Sequence, residues 1–192
     1  MKIIFFGNCI FTSEAVKLLL KNKDNQITLV SYKDSMDYCV KNSLPKFIKK
    51  NNFKYIEFDR KTDDETKIIL NDKYDLLICC VWNKKFSKEI ISALPAYNIH
   101  PSLLPKYRGA NPLQAQIDNH EKIGGVTMHL MSQEYDSGPI YKQIPFHISK
   151  KESIASLSIK AAKITCIILK DFLSDFPNIH LKNQNDNEAT YC

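Results

Sequence analysis

Arginine is almost missing from this chain. Arg60 and Arg108 are the two among 27 basic residues, so lysine carries the net charge of +6. No dense basic run is interleaved with aromatics, and the charge is poor support for a nucleic-acid partner. It suits an anionic small substrate equally well. Glycine is scarce too: five in 192 residues. The first turn, Gly7-Asn8, holds one glycine where a dinucleotide fingerprint needs three at fixed spacing. The six cysteines (Cys9, Cys39, Cys79, Cys80, Cys166 and Cys192) show no metal-ligand spacing. No metal is expected; Cys79 and Cys80, adjacent in an apolar run, read as buried free thiols, and a reducing cytosol fits best. No apolar stretch is long enough to span a membrane. The run Ile3-Ile4-Phe5-Phe6 breaks at Gly7-Asn8, too soon for a signal peptide. No membrane partner and a cytoplasmic location are the expectations.

The rest is ordinary for a soluble globular protein: 44% hydrophobic and 25% charged residues. The length suits one domain with a sizeable core. Residues 2–6 read as a buried strand. A helix follows, capped by Thr12 or Ser13, with Glu14 in its first turn and a stripe of Ala15, Val16, Leu19 and Leu20. This is a Rossmann-like opening. Residues 26–31 and 55–58 read as further strands, and 63–71 as a surface helix capped by Thr62. Lys41, Lys46, Lys49 and Lys50 suggest a solvated face, with Pro45 opening a short helix. Leu76 to Val81 is continuously apolar, as a central parallel strand covered on both faces would be. A helix from Ser87 to Ala93 comes next.

Further on, a helix is expected from Pro112 to about Asn119. Gly124 to Met131 and Ile140 to Ile148 read as strands, the first bent or bulged at its glycine pair. Residues 153–173 form a long amphipathic helix through Ile154, Leu157, Ala161, Ile164 and Ile168. Residues 182–192 are polar and expected to fray. An apolar face on the last helix or on the 140–148 strand offers a surface on which a homodimer could pair.

The densest chemistry lies in Asn98-Ile99-His100-Pro101-Ser102-Leu103-Leu104-Pro105-Lys106-Tyr107-Arg108-Gly109. On a strand, Asn98 and His100 point the same way. The prolines after them stop strand and helix alike. In an open α/β sheet, ligands bind beyond the carboxyl ends of strands. An amide can donate to a developing oxyanion, and a histidine can move protons near neutral pH. Asp136 sits in a turn-rich loop, Ser132 to Pro139, and could orient the histidine or relay a proton. The triple suits acyl transfer or hydrolysis; a purely structural role is the competing reading. Ser102 has no visible activator, so a reaction without a covalent enzyme intermediate is favoured. His129, alone on its strand, reads as structural. Trp82, at a strand's carboxyl end, either lines a pocket for a flat ligand or covers the core.

Asn98 to Pro105 resembles the signature of the folate-dependent formyltransferases. Tyr135-Asp136-Ser137-Gly138-Pro139-Ile140 resembles that family's second signature, which holds its catalytic aspartate. The resemblance covers roughly residues 1–175. It implies an α/β fold, a Rossmann-like, mostly parallel sheet with helices on both faces, in a single formyltransferase catalytic domain over 1–192. It also implies 10-formyltetrahydrofolate as cosubstrate and direct attack of a substrate amine on the formyl carbon. Asn98 and His100 would stabilise the oxyanion, and His100 or Asp136 would carry the proton. Folate contacts are implied at Trp82, Asn83, Phe86, Leu104, Glu134 and Tyr135, many of them through main chain.

The implied acceptor follows from departures within the family. The first turn, Gly7 to Thr12, lacks the phosphate loop of the purine enzyme. The chain is too short for the carboxy-terminal barrel of the transfer-RNA enzyme. Tyr107-Arg108-Gly109 is similar to the sugar and transfer-RNA branches. The expectation is a nucleotide-linked amino sugar, such as a dTDP- or UDP-4-amino-4,6-dideoxyhexose, with Asn8, Tyr107 and Arg108 as substrate contacts. Arg108 in a structural salt bridge is the alternative. Phosphoribosylglycinamide formyltransferase, formyltetrahydrofolate hydrolase and a non-catalytic folate- or nucleotide-binding protein stay open.

Overall fold

Runs apolar on every residue cannot leave a face to water, and the strands they form need cover on both sides. Leu76–Cys80 is such a run, and all five residues are buried. The computed structural model describes residues 1–33 and 53–192. The expected lysine face and the short helix at Pro45 lie outside those residues. The chain divides into two compact units, 1–96 and 97–192.

In the first unit β1 (Lys2–Gly7) is followed by α1 (Ile10–Leu19), β2 (Gln26–Tyr32), β3 (Lys54–Phe58), α2 (Glu65–Leu70), β4 (Leu76–Cys80) and α3 (Lys88–Ala93). Its strands run β3-β2-β1-β4, every pairing parallel. Two helix starts differ from expectation. The N-cap of α1 is Cys9, and Thr12 and Ser13 lie inside the helix. The turn is tight: a Cβ on Gly7 would stand 2.1 Å from Thr12 Oγ1. No acidic residue lies in the first turn. For α2 the cap is Asp64, which accepts from the Thr66 N–H at 2.8 Å, rather than Thr62. The helix expected from Ser87 to Ala93 is α3, and Ser87 is its N-cap.

The second unit holds β5 (Ala96–His100), α4 (Pro112–Asp118), β6 (Ile123–Leu130), β7 (Ile140–His147), α5 (Ile154–Asp175) and a 3-10 turn at Asp186–Glu188. β5, β6 and β7 pair antiparallel in that order. The ladder irregularity falls at Met128/His129, not at Gly124-Gly125. The glycine pair has another use: a Cβ on Gly125 would meet Leu103 Cδ2 at 2.3 Å. Bare backbone there lets the loop after β5 lie on β6. Ser153 caps α5, which buries Leu157, Ala161, Thr165, Ile168 and Phe172. Ile154, expected in that stripe, is exposed, and Ile164 is half-buried. Among the described residues, no helix is long and apolar enough to cross a membrane.

Phe172 anchors α5, with ring centroids 4.6 Å from Tyr97, 5.4 Å from Tyr141 and 5.6 Å from Phe176. Phe172→Ala should cost about 3–5 kcal/mol of unfolding free energy in urea, because both apolar contact and volume are lost. A cost below about 1 kcal/mol would show that α5 is not held through this ring.

Candidate functional site

The site is built at the end of β5. Strand alternation turns Asn98 and His100 to one side, and β6 brings partners opposite them. Asn98 pairs with His129, and His100 with Thr127. Asp136 comes from the loop after β6, and its φ is 53°. The loop folds back sharply, because Pro139 O accepts from the Leu130 N–H at 2.9 Å. Only glycine fits at 138 in that fold: a Cβ would stand 1.8 Å from Leu130 O. The three residues picked from sequence are therefore neighbours.

Asp136 is the centre of the cluster and is buried. Its Oδ1 accepts from Asn98 Nδ2 at 2.9 Å, and its Oδ2 from the Gly109 N–H at 2.9 Å. His100 Nδ1 lies 3.5 Å from Oδ2, and His129 Nε2 lies 3.4 Å from Oδ1. Burial alone would raise the carboxyl pKa. The His129 contact, the nearby His100 and the Gly109 N–H outweigh burial and hold it well below the usual carboxylate range. His100 moves the other way. Its burial disfavours the imidazolium more than Asp136 favours it, so its pKa is lowered. An anionic carboxylate thus faces a neutral imidazole. Tyr107 O lies 2.7 Å from His100 Nε2 and can only accept, so that nitrogen carries the hydrogen. Nδ1 is left to take a proton.

Both amide hydrogens of Asn98 face acceptors: Asp136, and His129 Nε2 at 3.3 Å. Its Oδ1 is buried and has no hydrogen-bond partner. Such an atom calls for an explanation in a native structure. It is a buried acceptor with nothing donating to it.

The proline-rich loop is pinned from below. Thr127 Oγ1 donates to Ser102 O at 2.6 Å and accepts from the Leu104 N–H at 3.2 Å. Gln143 Nε2 reaches Leu104 O at 2.8 Å. Ser102 is fully buried, and its hydroxyl donates to Lys106 O at 2.6 Å. That hydroxyl is committed, in keeping with a reaction that has no serine nucleophile.

The remaining expected residues are scattered more widely. Leu104 is buried, Tyr135 is exposed, and Glu134 O accepts from Ser132 and Ser137. In the first unit, Trp82 is buried and stacks on Tyr32 with centroids 3.9 Å apart. Its Nε1–H donates to Glu65 at 3.3 Å. Phe86 packs edge-on against Phe6, Asn83 accepts from the Tyr32 hydroxyl, and Asn8 accepts from Ser31. Tyr107 donates to Glu121 at 2.7 Å. Arg108 is buried, and its guanidinium donates to Gln184, Asp186 and Tyr191.

Three participants were not singled out from sequence. His129 and Thr127 repeat the two-residue spacing of Asn98 and His100 on the facing strand, a signal visible once the two strands are paired. Gln184 lies in the tail expected to fray. Among the described residues, no group of three or more His, Cys, Asp or Glu could hold a metal ion.

The formyl transferase family model matches residues 1–173. A methionyl-tRNA formyltransferase of Fervidobacterium nodosum is 32% identical over 196 residues, covering 100% of this chain and 63% of the relative. The chain thus spans less than two thirds of that relative's length. A 4-N formyltransferase from Francisella tularensis superposes with a TM-score of 0.78 at 25% identity, covering 100% of this chain and 75% of the other. An N-formyltransferase from Helicobacter canadensis, in complex with folinic acid and dTDP-3-aminofucose, has a TM-score of 0.79 at 21% identity, covering 100% and 70%. With the family model matched across both signatures and nearly the whole length, the chain belongs to the formyl transferase family.

Proposed function

We propose that this chain is a folate-dependent N-formyltransferase that moves a formyl group from 10-formyltetrahydrofolate to a primary amine. The observation that carries the reading is the orphaned Asn98 Oδ1 beside a neutral His100 and an anionic Asp136. A buried acceptor without a donor fits an incoming N–H. A neutral imidazole with Nδ1 open fits the proton that the amine must lose. One C–N bond forms to the formyl carbon, the bond from that carbon to the folate nitrogen breaks, and one proton passes from amine to folate nitrogen. His100 Nδ1 carries the proton, and Asp136 Oδ2, 3.5 Å away, offsets the transient imidazolium charge. As charge builds on the formyl oxygen, the longer contact of Asn98 Nδ2, to His129, is the one free to be given up.

For the acceptor, a nucleotide-linked amino sugar is the first reading. The ligand named for the Helicobacter canadensis protein and the fit of the Francisella tularensis enzyme support it. Methionyl-tRNA is the second, supported by the 32% identity to the Fervidobacterium nodosum enzyme. Tetrahydrofolate release from 10-formyltetrahydrofolate separates them. The acceptors are dTDP- and UDP-linked 3- and 4-amino sugars, methionyl-tRNA, glycinamide ribonucleotide and no amine. Turnover with one amino sugar alone is expected. Turnover with methionyl-tRNA alone would replace the first reading by the second. Release without an amine would make the chain a hydrolase.

His100→Asn should keep native circular dichroism and lose at least about a hundredfold in turnover, the scale of a lost general base. Near-normal turnover would contradict the role given to His100. The pH profile carries the sign of the His100 shift. A lowered pKa keeps the base neutral to more acidic pH, so kcat/KM should stay level down to the ordinary imidazole value of 6.5 and fall only below it. A midpoint at or above that value would contradict a neutral, buried base.

A further inference from the structure

Residues 182–192 do not trail into solvent. Lys182 exchanges both backbone hydrogen bonds with Ile140, at 2.7 and 2.8 Å. From there the tail crosses the proline-rich loop. The Arg108 N–H donates to Thr190 O at 2.8 Å, and the Cys192 N–H donates to Arg108 O at 2.9 Å. The Tyr107 N–H donates to Thr190 Oγ1 at 2.8 Å. Gly109 is left-handed, with φ 118°, and a Cβ there would meet Cys192 O at 2.3 Å. These contacts matter because of what the gripped residues do. Tyr107 O fixes the His100 tautomer, and the Gly109 N–H holds Asp136 Oδ2.

Gln184 closes the clasp from the other side. Its Nε2 donates to Asp136 O at 2.8 Å and to Gly138 O at 2.7 Å. Its Oε1 accepts from Arg108 Nη2 at 2.8 Å. All three bonds fix the amide's orientation, since a flip would set its oxygen against two carbonyls and its nitrogen against a guanidinium. Beneath it Arg108 Nη2 also donates to Asp186 Oδ1 at 2.7 Å. One side chain therefore joins the Asp136 loop to the loop that holds His100.

We infer that Gln184, seated on Arg108, is a positioning residue for formyl transfer: its amide sets the Asp136 loop against the His100 loop. The inference rests on the formyl-transfer reading above. It also turns Arg108 from a substrate contact into the support on which Gln184 sits. A carboxylate displaced by even an ångström costs about a hundredfold in rate. A tail that merely packed would change stability and leave turnover alone.

Two variants and two readouts test this. Gln184→Met keeps bulk and removes every hydrogen bond. Gln184→Glu keeps the acceptor for Arg108 and removes both donors to the Asp136 loop. Both should keep native circular dichroism and the wild-type KM for folate. Both should lose about ten- to a hundredfold in kcat, as expected when transition-state geometry and not uniform binding is lost. Exchange of the Gly109 amide should quicken at least about tenfold in both, because its acceptor loosens. Wild-type kcat in either folded variant, or unchanged Gly109 exchange, would overturn the inference. Loss of native structure in both variants at 25 °C would also overturn it, since Gln184 would then serve stability. If wild-type protein transfers formyl to no amine, the functional reading fails by itself, and Gly109 exchange still decides whether Gln184 holds the loop.

Discussion

Everything at this site depends on keeping one carboxylate charged inside the protein. A buried carboxylate is costly unless donors converge on it. Asp136 draws its donors from two places, Asn98 on β5 and the Gly109 N–H of the proline-rich loop, with His129 Nε2 on β6 3.4 Å away. Charge-assisted hydrogen bonds of this kind are the strong ones. The strands bring the side chains, Gly138 lets the aspartate loop fold back, and Gly125 lets the proline-rich loop lie down. Remove any one and the charge loses a partner in a setting where it cannot recruit water.

That arrangement divides the labour between two titratable groups. Asp136 is pushed towards its charged form and His100 towards its neutral form. Environments that drive neighbouring groups apart assign the acid and base roles. Tyr107 O adds the last constraint by choosing which imidazole nitrogen bears hydrogen. Asn98 Oδ1 is left as a buried acceptor without a donor.

Much of this was legible in the sequence. Strand alternation alone put Asn98 and His100 on one side. The continuous apolar run at 76–80 announced a strand buried on both faces. The turn formers around Asp136 marked a loop, and the signature supplied the link between Asp136 and His100 that spacing could not. His129 was passed over because its neighbours are set by β5–β6 register, which a single strand does not reveal. Tail residues were misjudged for a related reason. Polar composition does not reveal which polar groups bond back to the chain: Thr190 and Asp186, though exposed, and half-buried Gln184 hydrogen-bond the backbone and guanidinium of residues 105–108. Helix caps at Cys9 and Asp64 were missed by a few residues, since local turn geometry decides which nearby side chain reaches the free N–H groups.

The account stands on a neutral His100 whose hydrogen is on Nε2. Nitrogen-detected NMR of the labelled imidazole at pH 7 measures this directly. The account predicts a neutral ring, protonated at Nε2 and bare at Nδ1. An imidazolium, or a neutral ring protonated at Nδ1, would contradict it, because neither leaves His100 able to take a proton from an amine.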